Sequence, residues 1–264
     1  MESLEAALHI NADFMILCGG LGKRLRSVTG EAPKVMAEVQ GEPFLDFLIR
    51  YLIKQGARRI ILCAGYKAEA LEAYYKKKFE DIELLFSIER EPLGTGGAFK
   101  NAEKLVKSEN VFGLNGDCFT PVRYADLLAF HLRKNAWGTL VAVRIEGNRD
   151  FGTIVMNEQD EIVAFREKFE TNEVQHISAG IYCFRSEVLG LMPQDKFSIE
   201  YDFFPKMIDG VHAQSGRSSG AKAGGNGPMR GRKFLGYKLD APFIDIGTPE
   251  RFEWAKKHLN EMLE

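Results

Sequence analysis

The sequence predicts an α/β protein, three layers deep (α/β/α), with a mainly parallel central sheet and a smaller antiparallel region. Three observations carry that expectation. Short apolar runs alternate with amphipathic helical segments through the first half, the pattern of parallel strands covered on both faces. Turns rich in glycine, asparagine and aspartate follow two of those runs, at 19–22 and 115–117. From residue 138 onward the pattern changes to short strands separated by Gly, Asn and Asp, which favours antiparallel pairing. The layout is Rossmann-like, and such folds place ligands at the carboxyl ends of the strands.

In order, the first half reads as follows. A strand covers 14–18. A helix covers 42–55, with Phe44, Phe47, Leu48, Tyr51 and Leu52 at helical spacing and Gly56 as its stop. A buried strand covers 59–64, and a helix covers 68–79, whose Lys76, Lys77 and Lys78 read as a solvated end. A strand at 82–88, a helix at 98–107 and a strand at 111–114 complete the alternation. The second half offers strands at 138–144, 152–156, 162–165 and 177–184, then a helix to 208 that starts near Ile199. A strand at 234–245 and a closing helix at 249–263 end the chain. Residues 214–227 are rich in Gly and Ser and hold no large apolar side chain, so a flexible insertion is expected at 213–233. Residues 1–11 read as an N-terminal extension and 12–264 as a single domain.

Composition excludes several classes. The chain has 264 residues, of which 45% are hydrophobic, enough for one large core. Lys and Arg number 35 against 37 Asp and Glu, a net charge of −2. That balance argues against a nucleic-acid partner or a membrane surface. No apolar run approaches the ~20 residues of a membrane span, and the first ten residues lack the pattern of a secretory leader. Cys18, Cys63, Cys118 and Cys183 form no C-x-x-C pair, hence neither a zinc site nor a disulfide framework. A reduced, cytoplasmic setting is expected, and a homodimer is left open.

The chemistry begins at Met15-Ile16-Leu17-Cys18-Gly19-Gly20-Leu21-Gly22-Lys23-Arg24-Leu25, followed by Pro33-Lys34. Glycines after a strand let several backbone N–H groups approach one anion. Lys23, Arg24 and Lys34 add positive charge at that spot, and a nucleotide polyphosphate is the natural ligand. Two familiar phosphate loops fail. A Walker loop needs a glycine five before Gly22-Lys23, where Leu17 stands, and a Ser or Thr after it, where Arg24 stands. The dinucleotide fingerprint starting at Gly20 has Leu25 in place of its third glycine.

Further along, Asn115-Gly116-Asp117 closes an apolar strand. An acid at a strand's carboxyl end beside a phosphate loop suits Mg²⁺, which takes a few carboxylates plus phosphate oxygens and water. Asp245 is an acid in an otherwise apolar run, a costly burial unless paired or metal-bound. Glu89-Arg90-Glu91-Pro92-Leu93-Gly94-Thr95-Gly96-Gly97 reads as a loop with free amides before the next helix, or as a helix entry capped by Thr95.

Leu-x-Gly-Gly-x-Gly-x-Arg-Leu followed by Pro-Lys resembles the sugar-1-phosphate nucleotidylyltransferases, and the resemblance covers nearly all of 14–258 apart from 213–233. It implies an enzyme that joins a nucleoside triphosphate to a sugar 1-phosphate and releases pyrophosphate. It implies that the glycine loop (Leu17, Gly19, Gly20, Leu21, Gly22, Lys23) and Asn115 bind the nucleotide, that Arg24 and Lys34 brace the triphosphate, and that Asp117 and Asp245 hold Mg²⁺. By the same resemblance Gly94 and Thr95 lie against the nucleobase. A carboxylate at Glu89 suits guanine, whose ring N–H and amino group are adjacent donors; thymine and uracil would set acceptors against it. Gly152, Glu167, Lys168 and Ser178 match the sugar side, with Lys168 meeting the sugar phosphate and Glu167 a hydroxyl. Many relatives carry Asn where Ser178 stands; the shorter side chain leaves room for a bulkier sugar or for a water. Three stretches, Leu17 to Gly20, Glu89 to Gly97 and Ser198 to Phe203, look most like the manno-heptose 1-phosphate guanylyltransferases, making GTP and manno-heptose 1-phosphate the favoured partners. Mannose or glucose acceptors, dTTP or UTP as donors, and a non-catalytic nucleotide-sugar sensor stay open. An NAD-dependent dehydrogenase is disfavoured by the missing glycine.

Overall fold

The structure is a computed structural model, and it describes residues 9–20, 22–26, 30–147, 151–166, 173–208 and 232–262. The extension at 1–8 and the expected insertion up to residue 231 lie outside the described residues, as do Leu21, Glu167 and Lys168.

Four parallel strands form the heart of the sheet: β1 (Asp13–Leu17), β4 (Arg59–Ala64), β5 (Glu83–Ile88) and β6 (Asn110–Asn115). Their order is β6-β1-β4-β5; β1, β4 and β6 carry the apolar runs of buried strands, while β5, at the edge, is only partly buried. β11 (Gln175–Arg185) pairs antiparallel with β6, β8 (Gly138–Ile145) antiparallel with β11, and β12 (Phe234–Leu239) parallel with β8. The hairpin β9 (Thr153–Met156) and β10 (Ile162–Arg166) joins through β11. Two small ribbons, β2 (Glu38–Val39) with β3 (Glu42–Pro43) and β7 (Cys118–Phe119) with β13 (Ile244–Asp245), stand apart from the sheet.

Two apolar clusters flank the sheet, as three layers require. One joins Phe14, Phe112 and Tyr124 to α1 (Phe44–Lys54), α2 (Ala68–Tyr75) and α4 (Tyr124–Arg133). The other packs Met15, Ile61, Phe99 and Tyr182 under α3 (Gly94–Ala102), α5 (Glu187–Leu191) and α6 (Phe204–Met207). α7 (Pro249–His258) closes the described chain, with Pro249 at its first turn and the Thr248 hydroxyl accepting from the Arg251 N–H.

Several expectations need correction. α3 starts at Gly94, four residues before the expected helix, because Gly94 sits at φ +74 against the Phe197 carbonyl and turns the chain straight into the helix. Its amides are not all free: the Gly96 N–H donates to the Phe197 oxygen at 3.1 Å. Thr95 is not the cap; its hydroxyl accepts from the Ile199 N–H at 2.9 Å. The lysine run is not wholly solvated, since Lys78 pairs with Asp46, a carboxylate with no exposed surface. The expected strand at 234–245 divides into β12 and β13, which pair in different sheets. The start of the 199–208 helix is a wide π turn, Ile199–Phe203. The reading also passed over α4 between β7 and β8.

Candidate active site

The candidate residues meet along one edge of the sheet, at the carboxyl ends of β5, β4, β1 and β6 and toward the amino end of the antiparallel β11. At the β5 end stands Glu89, half-buried. A Cβ built on Gly19 would lie 2.6 Å from its Oε1, and one on Gly65 2.5 Å from the same atom. A side chain at either position would displace the Glu89 carboxylate, so Glu89 is pressed between the turns that follow β1 and β4. Its Oε2 accepts from the Leu93 N–H at 3.2 Å. Burial raises its carboxyl above the ordinary value, and that one N–H opposes the rise only in part.

The loop after β1 turns at Gly22, whose φ of +54 suits glycine. A Cβ there would come within 2.9 Å of the Lys34 Cβ, so the glycine loop closes directly on Lys34. Arg24 lies exposed in the single 3-10 turn, Lys23–Leu25, that follows Gly22. Gly20 is exposed and carries no neighbour at its Cβ position.

At the β6 end the chain makes a tight bend. The Gly116 N–H donates to the Leu17 carbonyl at 3.0 Å, and a Cβ on Gly116 would strike that oxygen. This bend tucks Asp117 beside the glycine loop, where Lys34 Nζ meets its Oδ2 at 2.5 Å. The Ile246 N–H donates to the Asp117 carbonyl at 3.0 Å, and β13 pairs Asp245 with Cys118. Asp117 and Asp245 thus come together from 128 positions apart in the sequence. Burial would raise Asp117, but the Lys34 ammonium and its hydrogen bond outweigh that and hold the carboxyl below its ordinary value. Asp245 is pushed up, by burial first and then by the Asp117 charge, against the weaker pull of Lys34 and Arg251. Two oxygen donors that repel each other are a fit for a divalent cation. Among the described residues no group of three or more His, Cys, Asp or Glu forms a cage.

Across β6 lies β11. The β11–β8 register shifts between Ser178 and Tyr182, and Gly180 takes φ +66 inside that irregularity. A Cβ on Gly180 would collide with the Asn115 side chain, so Asn115 lies flat against Gly180, its Oδ1 buried without a hydrogen-bond partner. Ser178 Oγ accepts from the Gly180 N–H at 3.2 Å. Gly152 precedes β9, whose Thr153 pairs with Ile177. Glu200, which the sequence reading did not single out as a site residue, also belongs here: it accepts from the Tyr182 hydroxyl at 2.7 Å. Its only sequence signal is its place in Ser198-Ile199-Glu200-Tyr201-Asp202-Phe203.

The chain matches the Nucleotidyl transferase family model over residues 14–261. It is 36% identical over 250 residues to the D-glycero-alpha-D-manno-heptose 1-phosphate guanylyltransferase of Aneurinibacillus thermoaerophilus, covering 94% of this chain and 99% of that one. It is 40% identical over 242 residues to the enzyme of the same name from Campylobacter jejuni, covering 90% and 96%. Among solved structures, HddC from Yersinia pseudotuberculosis complexed with GMP-PN superposes with a TM-score of 0.76 at 32% identity, over 94% of this chain and 99% of that chain. With the glycine loop, the paired aspartates and these relatives in agreement, the chain belongs to the sugar-1-phosphate nucleotidylyltransferase family, and it is an enzyme of nucleotidyl transfer.

Proposed function

We propose that the protein transfers GMP from GTP to a manno-heptose 1-phosphate, giving a GDP-sugar and pyrophosphate. The supporting observation is the order of groups along the sheet. Glu89 stands at the β5 end, Lys34, Asp117 and Asp245 cluster at the β6 end, and Ser178 and Gly180 follow on β11. Four strand spacings of about 4.8 Å separate β5 from β11, roughly 19 Å, a span suited to a base, a phosphate chain and a sugar laid across the cleft. Glu89 is desolvated and acceptor-only, which favours the two adjacent donors of guanine. The names of the relatives support the same pair of substrates.

In the reaction, an oxygen of the sugar phosphate attacks the α-phosphorus of GTP. A new P–O bond forms as the bond from the α-phosphorus to the bridging oxygen of pyrophosphate breaks. The attacking phosphate is already ionised at neutral pH, so no residue need remove a proton. The obstacle is the approach of two anions, and catalysis rests on alignment and charge neutralisation. Lys34 and Arg24 brace the triphosphate, and the backbone of the glycine loop lines it. Asp117 and Asp245 are the residues that would hold Mg²⁺, which supplies charge neutralisation at the phosphate oxygens. Lys34 leaves its pairing with Asp117 free to shift toward phosphate. Lys168 and Glu167, by the family resemblance, receive the sugar phosphate and a sugar hydroxyl. The buried free thiols of Cys18, Cys63, Cys118 and Cys183 suit a reducing cytoplasm, and no described helix is long and apolar enough to cross a membrane.

A panel of GTP, UTP, dTTP and CTP against manno-heptose, mannose and glucose 1-phosphates, read by pyrophosphate release, tests the assignment. GTP with the heptose acceptor should be fastest. Absence of pyrophosphate from every pair would instead favour a non-catalytic sensor.

A further inference from the structure

Glu200 lies in the Ser198 to Phe203 stretch but was given no role above, and the structure builds it into the acceptor side. The turn that carries it, Ile199–Phe203, is a π turn, a wide form that often marks functional positions. That turn is pinned at several points. The Ser198 N–H donates to Asp202 Oδ2 at 2.7 Å, and the Tyr201 N–H to Ser198 Oγ at 3.3 Å. The Ile199 N–H donates to Thr95 Oγ1 at 2.9 Å, which ties the turn to the start of α3. Ile199 and Phe203 are buried on either side of Glu200. The backbone at 200 is therefore fixed before any ligand arrives.

Its side chain is oriented as well. Tyr182 is fully buried, stacked on Phe184 and edge-on to Phe99. Its hydroxyl donates to Glu200 Oε1 at 2.7 Å. Burial, then the Glu200 charge, keeps that hydroxyl protonated and a donor. Among the described residues Oε2 of Glu200 has no hydrogen-bond partner. On the same face of the sheet, two residues before Asp117, Asn115 presents a buried Oδ1 that likewise has none. Two unused acceptors thus stand beside Ser178 and Gly180.

What these acceptors fit follows from their sign. A carboxylate set beside a cleft that must gather two phosphate groups repels phosphate, so it serves neutral donors. The base lies at Glu89, three strands away from β6. In the order of base, phosphate chain and sugar proposed above, the hydroxyl donors that fall beside β11 are those of the acceptor ring. Resting on the reaction proposed above, we infer that Glu200 is a specificity-determining contact that reads a hydroxyl of the acceptor sugar. Tyr182 is the positioning residue for Glu200.

The test is a set of kinetic cycles with GTP and mannose 1-phosphate, manno-heptose 1-phosphate and their monodeoxy analogues. Glu200→Gln keeps an oxygen to accept from Tyr182, so the fold is retained; thermal melting checks this. The variant should raise KM for the sugar phosphate roughly tenfold to a hundredfold, the scale of one hydrogen bond to a charged group. KM for GTP should stay within about twofold, the margin of an untouched site. One monodeoxy acceptor should be penalised by the wild type and no longer penalised by Glu200→Gln. Tyr182→Phe should reproduce part of the KM rise. Equal increases in both KM values, or a penalty for every deoxy analogue that survives in Glu200→Gln, would overturn the inference while leaving the reaction intact. A wild type inactive with every pair would instead reject the reaction itself.

Discussion

The two ends of the cleft, proposed above as its donor side and its acceptor side, are built differently. On the donor side, at the ends of β1, β4 and β5, glycine backbone does the shaping: Gly19 and Gly65 exist to admit Glu89, and Gly22 to admit Lys34. On the acceptor side, at the ends of β6 and β11, side chains fix one another: Tyr182 holds Glu200, and Asn115 lies on Gly180. A charged polyphosphate is bound best by rigid dipoles and cations, whereas a neutral sugar needs directional acceptors. Charge chemistry sits where the two sides meet, at Lys34, Asp117 and Asp245. Damage at that junction should stop the reaction, while damage on either side should change which substrate is used.

The largest expected effect is therefore at the junction. Asp117→Ala removes one of two carboxylates and frees Lys34 from its partner. Turnover should fall by about 10³ or more, as for loss of a central electrostatic group. The melting temperature should change little, because the backbone contacts of Asp117 to β13 remain. Turnover within tenfold of the wild type would remove the junction from the mechanism and with it the division of labour between the two sides.

Next in size is the donor side. Glu89→Gln keeps an acceptor for the Leu93 N–H but sets an NH₂ group in the base site. The preference for GTP over UTP should narrow by roughly tenfold to a hundredfold, seen in kcat/KM for each triphosphate. KM for the sugar phosphate should be unaffected. A change in sugar KM with an unchanged base preference would reverse the assignment of the two ends.

The same contrast explains what could be read from the sequence. In the parallel half each strand is followed by its own functional turn, so Gly19, Glu89 and Asp117 announce themselves at the ends of apolar runs. The class of fold was legible there for the same reason. In the other half β11 runs back beside β6, and Ser178, Gly180 and Tyr182 meet Asn115 and Glu200 through space rather than along the chain. Nothing in local spacing joins Asp245 to Asp117; only the resemblance did. Glycine-rich Gly94 to Gly97 misled because glycine has poor helix propensity, yet close packing on Phe197 demands it there. Lys78, in the turn after α2, misled because its partner, Asp46, lies on α1.

The smallest effect on turnover should come from a buried group behind the acceptor side. His131 on α4 is 1% exposed, its Nδ1 2.8 Å from the Thr139 hydroxyl on β8. Its Nε2 is buried with no partner. Burial, reinforced by the Arg185 charge, lowers its pKa to about 4 from the ordinary 6.5. Between those values the unfolded chain takes up a proton that the folded chain refuses, so stability should decline as pH falls from about 6.5 toward 4. The span corresponds to about 3 kcal/mol at most, at 1.36 kcal/mol per pH unit. In His131→Gln, which keeps a polar side chain facing Thr139, denaturation midpoints should lose most of that slope across the window. Kinetic constants at pH 7.5 should match the wild type, since His131 faces β8 rather than the cleft. An unchanged slope would mean that His131 is free to protonate in the folded protein. A changed KM for the sugar phosphate would mean that the packing behind β11 sets the acceptor contacts, and the two sides of the cleft would then differ in how far their supporting structure reaches.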